Sequence, residues 1–112
     1  MATSTAPPRR RRFYILNQKS QPVEVSDRTE WSRWMAGNDR VFRRTLLEES
    51  GITVTTRFCG VSEPPPRERL LFATRIAGGK CSGECYWSWT LDEAMEEHER
   101  LVQKLLRIAL GR

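Results

Sequence analysis

The clearest alternation in the chain runs from Ile52 to Cys59. Ile52, Val54, Thr56 and Phe58 fall on one face of a strand, and Thr53, Thr55, Arg57 and Cys59 fall on the other. A period of two recurs from Leu70 to Ala77, where Leu70, Phe72, Thr74 and Ile76 alternate with Leu71, Ala73, Arg75 and Ala77. Gly78-Gly79 then opens a hairpin loop, and the chain returns as a strand from Cys85 to Trp89. Earlier, Phe13 to Asn17 and Pro22 to Val25 read as two short strands at or near a sheet edge. The proline stands at a strand start, where its missing N–H is tolerated. Arg40 to Glu49 reads as a further strand whose alternation is blurred by Arg43-Arg44, and Glu48 to Gly51 is a turn.

Two segments change period from two to 3.6. Asp27 is placed to cap a short helix, with Glu30 three residues on; Trp31, Trp34 and Met35 share one face, and Gly37 marks the end. The second helix opens on Thr90-Leu91-Asp92-Glu93, a T-x-x-E capping box. Its apolar stripe is Leu91, Ala94, Met95, Leu101, Val102, Leu105 and Ile108, and Gly111 ends it. Five acidic residues crowd its first half, and Arg100, Lys104 and Arg107 follow, with Arg112 just past its end, an order that complements the helix dipole.

Short connections make successive strands antiparallel neighbours, and each helix carries one apolar stripe. The pattern therefore predicts an α+β fold: a single antiparallel sheet of about five to six strands with two helices packed on one face. Trp31, Trp34, Phe58, Phe72, Trp87 and Trp89 are expected in the core beneath the helices, since large aromatic side chains concentrate there. Pro64-Pro65-Pro66 reads as a stiff connector.

Charge changes the picture at one end only. The formal net charge is +5, and Arg9, Arg10, Arg11 and Arg12 supply four of those charges. Residues 13–112 then hold 15 basic and 14 acidic side chains and are nearly neutral. Residues 1–12 are expected to be a disordered Arg-rich tail, because a like-charge block beside Pro7-Pro8 repels itself and has nothing apolar to bury. Residues 13–112 are expected to be one domain. No apolar run reaches the length of a membrane span, and three cysteines, an odd number, suit a reducing cytoplasm better than a disulfide framework.

The candidate chemistry is sparse. Cys81 and Cys85 form a C-x3-C, which with Cys59 and His98 would make a Cys3His set of structural-zinc type. His98 lies on the apolar stripe of the second helix, so a hydrogen-bonded core histidine beside three reduced thiols is the plainer reading, and no metal or other cofactor is assigned. No nucleophile elbow surrounds any cysteine. Glu93, Glu96, Glu97 and Glu99 alternate with Arg100 and Lys104 as a solvated helix face does. Gly78-Gly79 precedes a strand rather than a helix and is no phosphate loop. The arginines make the case for nucleic acid: the Arg9 to Arg12 tail for phosphates, and a sheet face showing Thr55, Arg57, Arg75 and Tyr86 for phosphate and base.

The order of Tyr14-Ile-Leu-Asn17, Pro22-Val-Glu-Val25, Trp31-x-x-Trp34, Ile52 to Gly60, Leu70 to Thr74, Gly78-Gly79 and Trp89-Thr90 running into Glu93-Ala94 and His98 resembles a family of small uncharacterised bacteriophage and prophage proteins. Cys81 and Cys85 are not part of that pattern. The resemblance implies an accessory role and transfers no catalytic residue. The expectation is a non-enzymatic protein that binds a host or phage protein, with DNA or RNA as the second reading. A DNA mimic is not expected, because a mimic needs a dense negative surface and this chain is basic.

Overall fold

The alternating segment at the centre of the chain becomes the strand on which the fold is built. A computed structural model describes residues 11–65, 67–68 and 70–111. Its elements are β1 (Arg12–Leu16), β2 (Pro22–Val25), α1 (Arg28–Gly37), β3 (Val41–Leu47), β4 (Ile52–Phe58), β5 (Val61–Ser62), β6 (Phe72–Ala77), β7 (Cys85–Ser88) and α2 (Leu91–Gly111). Ile52, Val54, Thr56 and Phe58 of β4 are buried, as their shared face requires.

The α+β class stands, but the single sheet does not. The strands form two antiparallel sheets, one of order β2-β1-β5 and one of order β3-β4-β6-β7. Nor do both helices share a face of one sheet: α1 packs on β1 and β2, whereas α2 crosses β3, β4, β6 and β7. The cause lies at Gly60, just beyond β4, which turns the chain at φ +75°. That turn carries Val61 and Ser62 away from β6 and pairs them with Phe13 and Arg12 of β1. Flanked by β2 and β5, β1 has no free edge left for the larger sheet. The two-residue strand β5 hides in the stretch that reads as a loop in the sequence.

The sheets are joined by packing as well as by chain. The Gly60 carbonyl accepts from the Tyr14 N–H at 2.8 Å and from the Trp31 indole N–H at 3.0 Å. Trp34 meets Phe58 edge-on at 5.8 Å, and Tyr14 meets Trp89 edge-on at the same separation. These rings surround a core of Phe58, Leu71, Phe72 and Ala94. A second core, Ile52, Val54, Ile76, Leu101, Val102 and Leu105, lies between the four-stranded sheet and α2. The α2 stripe is buried as far as Leu105; Ile108 is 52% exposed.

The predicted caps form. Asp27 accepts from the N–H groups of Thr29 and Glu30. At α2, Thr90 Oγ1 accepts from the Glu93 N–H at 3.1 Å while Glu93 Oε1 accepts from Thr90 N–H at 3.3 Å, so the box closes in both directions. Among the described residues no helix is long and apolar enough to cross a membrane.

The described structure reaches into the expected tail. Arg12 opens β1 opposite Ser62, and Arg11 pairs with Glu63 at 3.1 Å. Arg9 and Arg10 lie outside the described residues.

Candidate functional site

With α2 covering one face of the four-stranded sheet, the register decides what the other face shows. Arg44 of β3 lies opposite Thr55, Thr55 opposite Arg75, and Arg75 opposite Cys85, forming one row across all four strands. In the next row Arg57 lies opposite Ala73, and Ala73 opposite Trp87. On the other side Leu46, Thr53 and Ala77 form a third row. Members of these rows enclose a shallow depression of about 390 Å³, walled by Arg44, Arg57, Arg75 and Trp87 and floored by Thr55, Ala73 and Ala77. Cys59 and Cys85 complete its lining.

Its electrostatics are one-sided. Arg44, Arg57 and Arg75 are exposed, no carboxylate lines the depression, and among the described residues none of the three is ion-paired. Arg43 shows the contrast: one residue from Arg44, it points to the helix side and meets Glu99 at 3.2 Å. A register shift between Val41 and Arg43 sets this parity. Adjacent strands lie about 4.8 Å apart, so the three guanidinium stems rise within about two strand spacings of one another. An arginine is fully charged under all ordinary conditions, so this is a permanent cationic patch.

Trp87 is 43% exposed, and its ring separates this depression from a second groove of about 540 Å³ between β7 and α2. That groove is acidic, lined by Glu68, Glu93, Glu96 and Glu97 beside Arg100. The strand therefore sends Trp87 outward, contrary to the core position expected for it. Trp89, beyond the end of β7, packs inward against Tyr14 as expected.

Of the residues expected on the basic face, Arg57, Arg75 and Thr55 are there, but Tyr86 is not. It pairs with Thr74, packs against the core beneath α2 and donates its hydroxyl to Glu84 at 2.6 Å. That hydrogen bond, then desolvation, holds its pKa above the ordinary phenol value. Arg44, Ala73 and Trp87 are the members that sequence reasoning missed. The odd-numbered phase of Cys85 and Trp87 was legible, but its match to the phase of Arg75 needs the β6–β7 register.

The sheet divides the Cys3His set. His98 is fully buried on the helix side, Cys81 packs against the same core, and Cys59 and Cys85 line the open face. Among the described residues no three His, Cys, Asp or Glu side chains come together as a metal site would require. His98 is instead bound on both nitrogens: Nε2 to Thr45 Oγ1 at 2.9 Å and Nδ1 to Thr56 Oγ1 at 2.8 Å, with Thr56 hydrogen-bonded to Thr74 at 2.7 Å. Burial, and next Arg43, push its pKa below the ordinary value, against a smaller opposing effect of Glu99. Burial, and next Cys85, raise the Cys59 thiol, while Arg57, Arg40 and Arg75 oppose them. A thiol raised in this way is a poor nucleophile at neutral pH.

Three of the five α2 carboxylates are spent locally: Glu93 on the cap, Glu97 on Arg100, and Glu99 on Arg43 and Gln103. Comparison with family models, with curated proteins and with solved structures finds no match to this chain.

Proposed function

We propose that this chain is a non-enzymatic accessory protein, of the phage or prophage type its sequence resembles, that binds single-stranded nucleic acid on the open face of its four-stranded sheet in the cytoplasm. The observation that carries the reading is the patch of Arg44, Arg57 and Arg75: three exposed guanidinium groups on neighbouring strands, with no ion-pair partner among the described residues. Arg43, on the helix side of the same strand, is by contrast paired with Glu99. A cationic groove beside an aromatic ring is the arrangement by which sheet surfaces follow an unpaired strand. The buried, doubly hydrogen-bonded His98 and the raised Cys59 thiol support a binding role over a catalytic one.

Binding of labelled single-stranded DNA and RNA across a salt series tests this. Each phosphate contact on a single strand contributes a slope of about −0.7 in log affinity against log salt, so replacing all three arginines with glutamine should flatten the slope by about 2. Replacing Arg9 and Arg10 with serine in the full chain measures what the tail adds. Absence of binding, or binding indifferent to Arg44, Arg57 and Arg75, overturns the reading. A protein partner would then be sought on the same face, where Leu46 and Trp87 supply exposed apolar surface.

A further inference from the structure

We infer that the slot between Arg57 and Trp87 receives one unpaired nucleobase, stacked on the Trp87 ring above Ala73. The inference rests on the proposed nucleic-acid reading and names the part of the ligand that the face would recognise.

The register supplies the geometry. Arg57, Ala73 and Trp87 stand in one row on three successive strands. The outer two are therefore separated by two strand spacings, about 9–10 Å, and side chains stand roughly perpendicular to the sheet. Between them the methyl group of Ala73 is the whole side chain and is 6% exposed, so the row has two tall walls over a low, largely covered floor. Stacked bases repeat at about 3.4 Å, so a base held between two planar groups needs about 7 Å, which this gap admits. An indole on one side and a guanidinium on the other are both surfaces on which a base stacks. Thr55 and Arg75, in the neighbouring row, stand beside the slot with donors for a base edge or phosphate.

Charge sets the direction of the strand. Beyond Trp87 the acidic groove of Glu68, Glu93, Glu96 and Glu97 repels phosphate, whereas Arg44, Arg57 and Arg75 attract it on the near side. The phosphate chain therefore lies over β3, β4 and β6, and the base points toward β7. Trp87 keeps 43% of its surface in water, so its ring is open to a base, whereas Trp34 and Trp89 pack against the core.

The test uses the full chain and two oligodeoxynucleotides of equal length and charge, one carrying bases and one abasic. The base-bearing strand should bind about 5- to 150-fold tighter, the range for one stacked base. Trp87→Leu and Ala73→Val should each bring the base-bearing strand down toward the affinity of the abasic one. Thermal melts followed by circular dichroism establish that both variants fold. RNA of the same sequence extends the comparison to the ribose hydroxyl. Equal affinity for the two strands, or a Trp87→Leu variant that keeps the full preference, overturns the slot while leaving phosphate binding intact. Failure of both strands to bind overturns the reading of the whole face.

Discussion

His98 shows how a single residue takes its role from its surroundings. Its ring lies between helix and sheet with a threonine hydroxyl at each nitrogen, and because a hydroxyl can donate or accept, it is burial and Arg43 that favour the neutral form. The groups acting on it are Arg43, which opposes the imidazolium, and Glu99, which favours it less than burial and Arg43 disfavour it. With the folded pKa below the ordinary 6.5, the unfolded chain binds more protons between those two values. The stability due to His98 is therefore complete above pH 6.5 and is lost as pH falls through that window toward the folded pKa. Urea denaturation at a series of pH values should show this decline, and His98→Leu should remove it. The same variant should lose about 1–3 kcal/mol at neutral pH, because Thr45 and Thr56 are left without their ring partner. A pH profile unchanged in His98→Leu would assign the decline to other groups. The apolar stripe put His98 in the core from sequence; its threonine partners, on β3 and β4, became visible only in the fold.

At the scale of elements, local chemistry accounts for most of what forms. The helix caps, the alternation of β4 and the stripe of α2 as far as Leu105 each lie within a few residues of chain, and each appears where the pattern puts it. The α2 cap is the sharpest test. Thr90→Ala removes the acceptor for the Glu93 N–H and should cost about 1 kcal/mol; Glu93→Ala removes the reciprocal bond. In a double-mutant cycle the two losses should be less than additive, since each side chain completes the same motif. Strict additivity would mean that the box does not act as a unit. The elements misread are those with weak local signals. β5 is two residues long, and β7 holds aromatic residues in both phases, so its sequence does not say whether Tyr86 or Trp87 turns outward. The Arg43-Arg44 pair poses the same problem, resolved here by the irregularity near the start of β3.

At the scale of the molecule, Gly60 is the position where two sheets rather than one are chosen. A Cβ there would stand 3.0 Å from both Trp31 Nε1 and Tyr14 O and 3.1 Å from Met35 Sδ, on a backbone at φ +75°. Gly60→Ala should therefore cost about 1–3 kcal/mol, read from chemical denaturation, and should loosen the contact of α1 and β1 with the larger sheet. Tryptophan emission should report that change, because Trp31 donates to the Gly60 carbonyl. A variant of unchanged stability would show that the joint tolerates a side chain and that the turn is held elsewhere. The same joint matters for function, since among the described residues the β2-β1-β5 sheet leaves Arg44, Arg57 and Arg75 of the larger sheet exposed.

The sequence by itself determined the α+β class, both helices with their caps, the central strands and the burial of His98, because these follow from periodicity and capping over short stretches of chain. Tertiary structure decided the division into two sheets, the separation of the cysteines from His98 and the grouping of Arg44, Arg57, Arg75 and Trp87. Each of those depends on strand register and on the turn at Gly60, which couple residues far apart in the chain. A shift of one residue in register exchanges the two faces of a strand, and the local pattern of an aromatic pair or an arginine pair is the same either way.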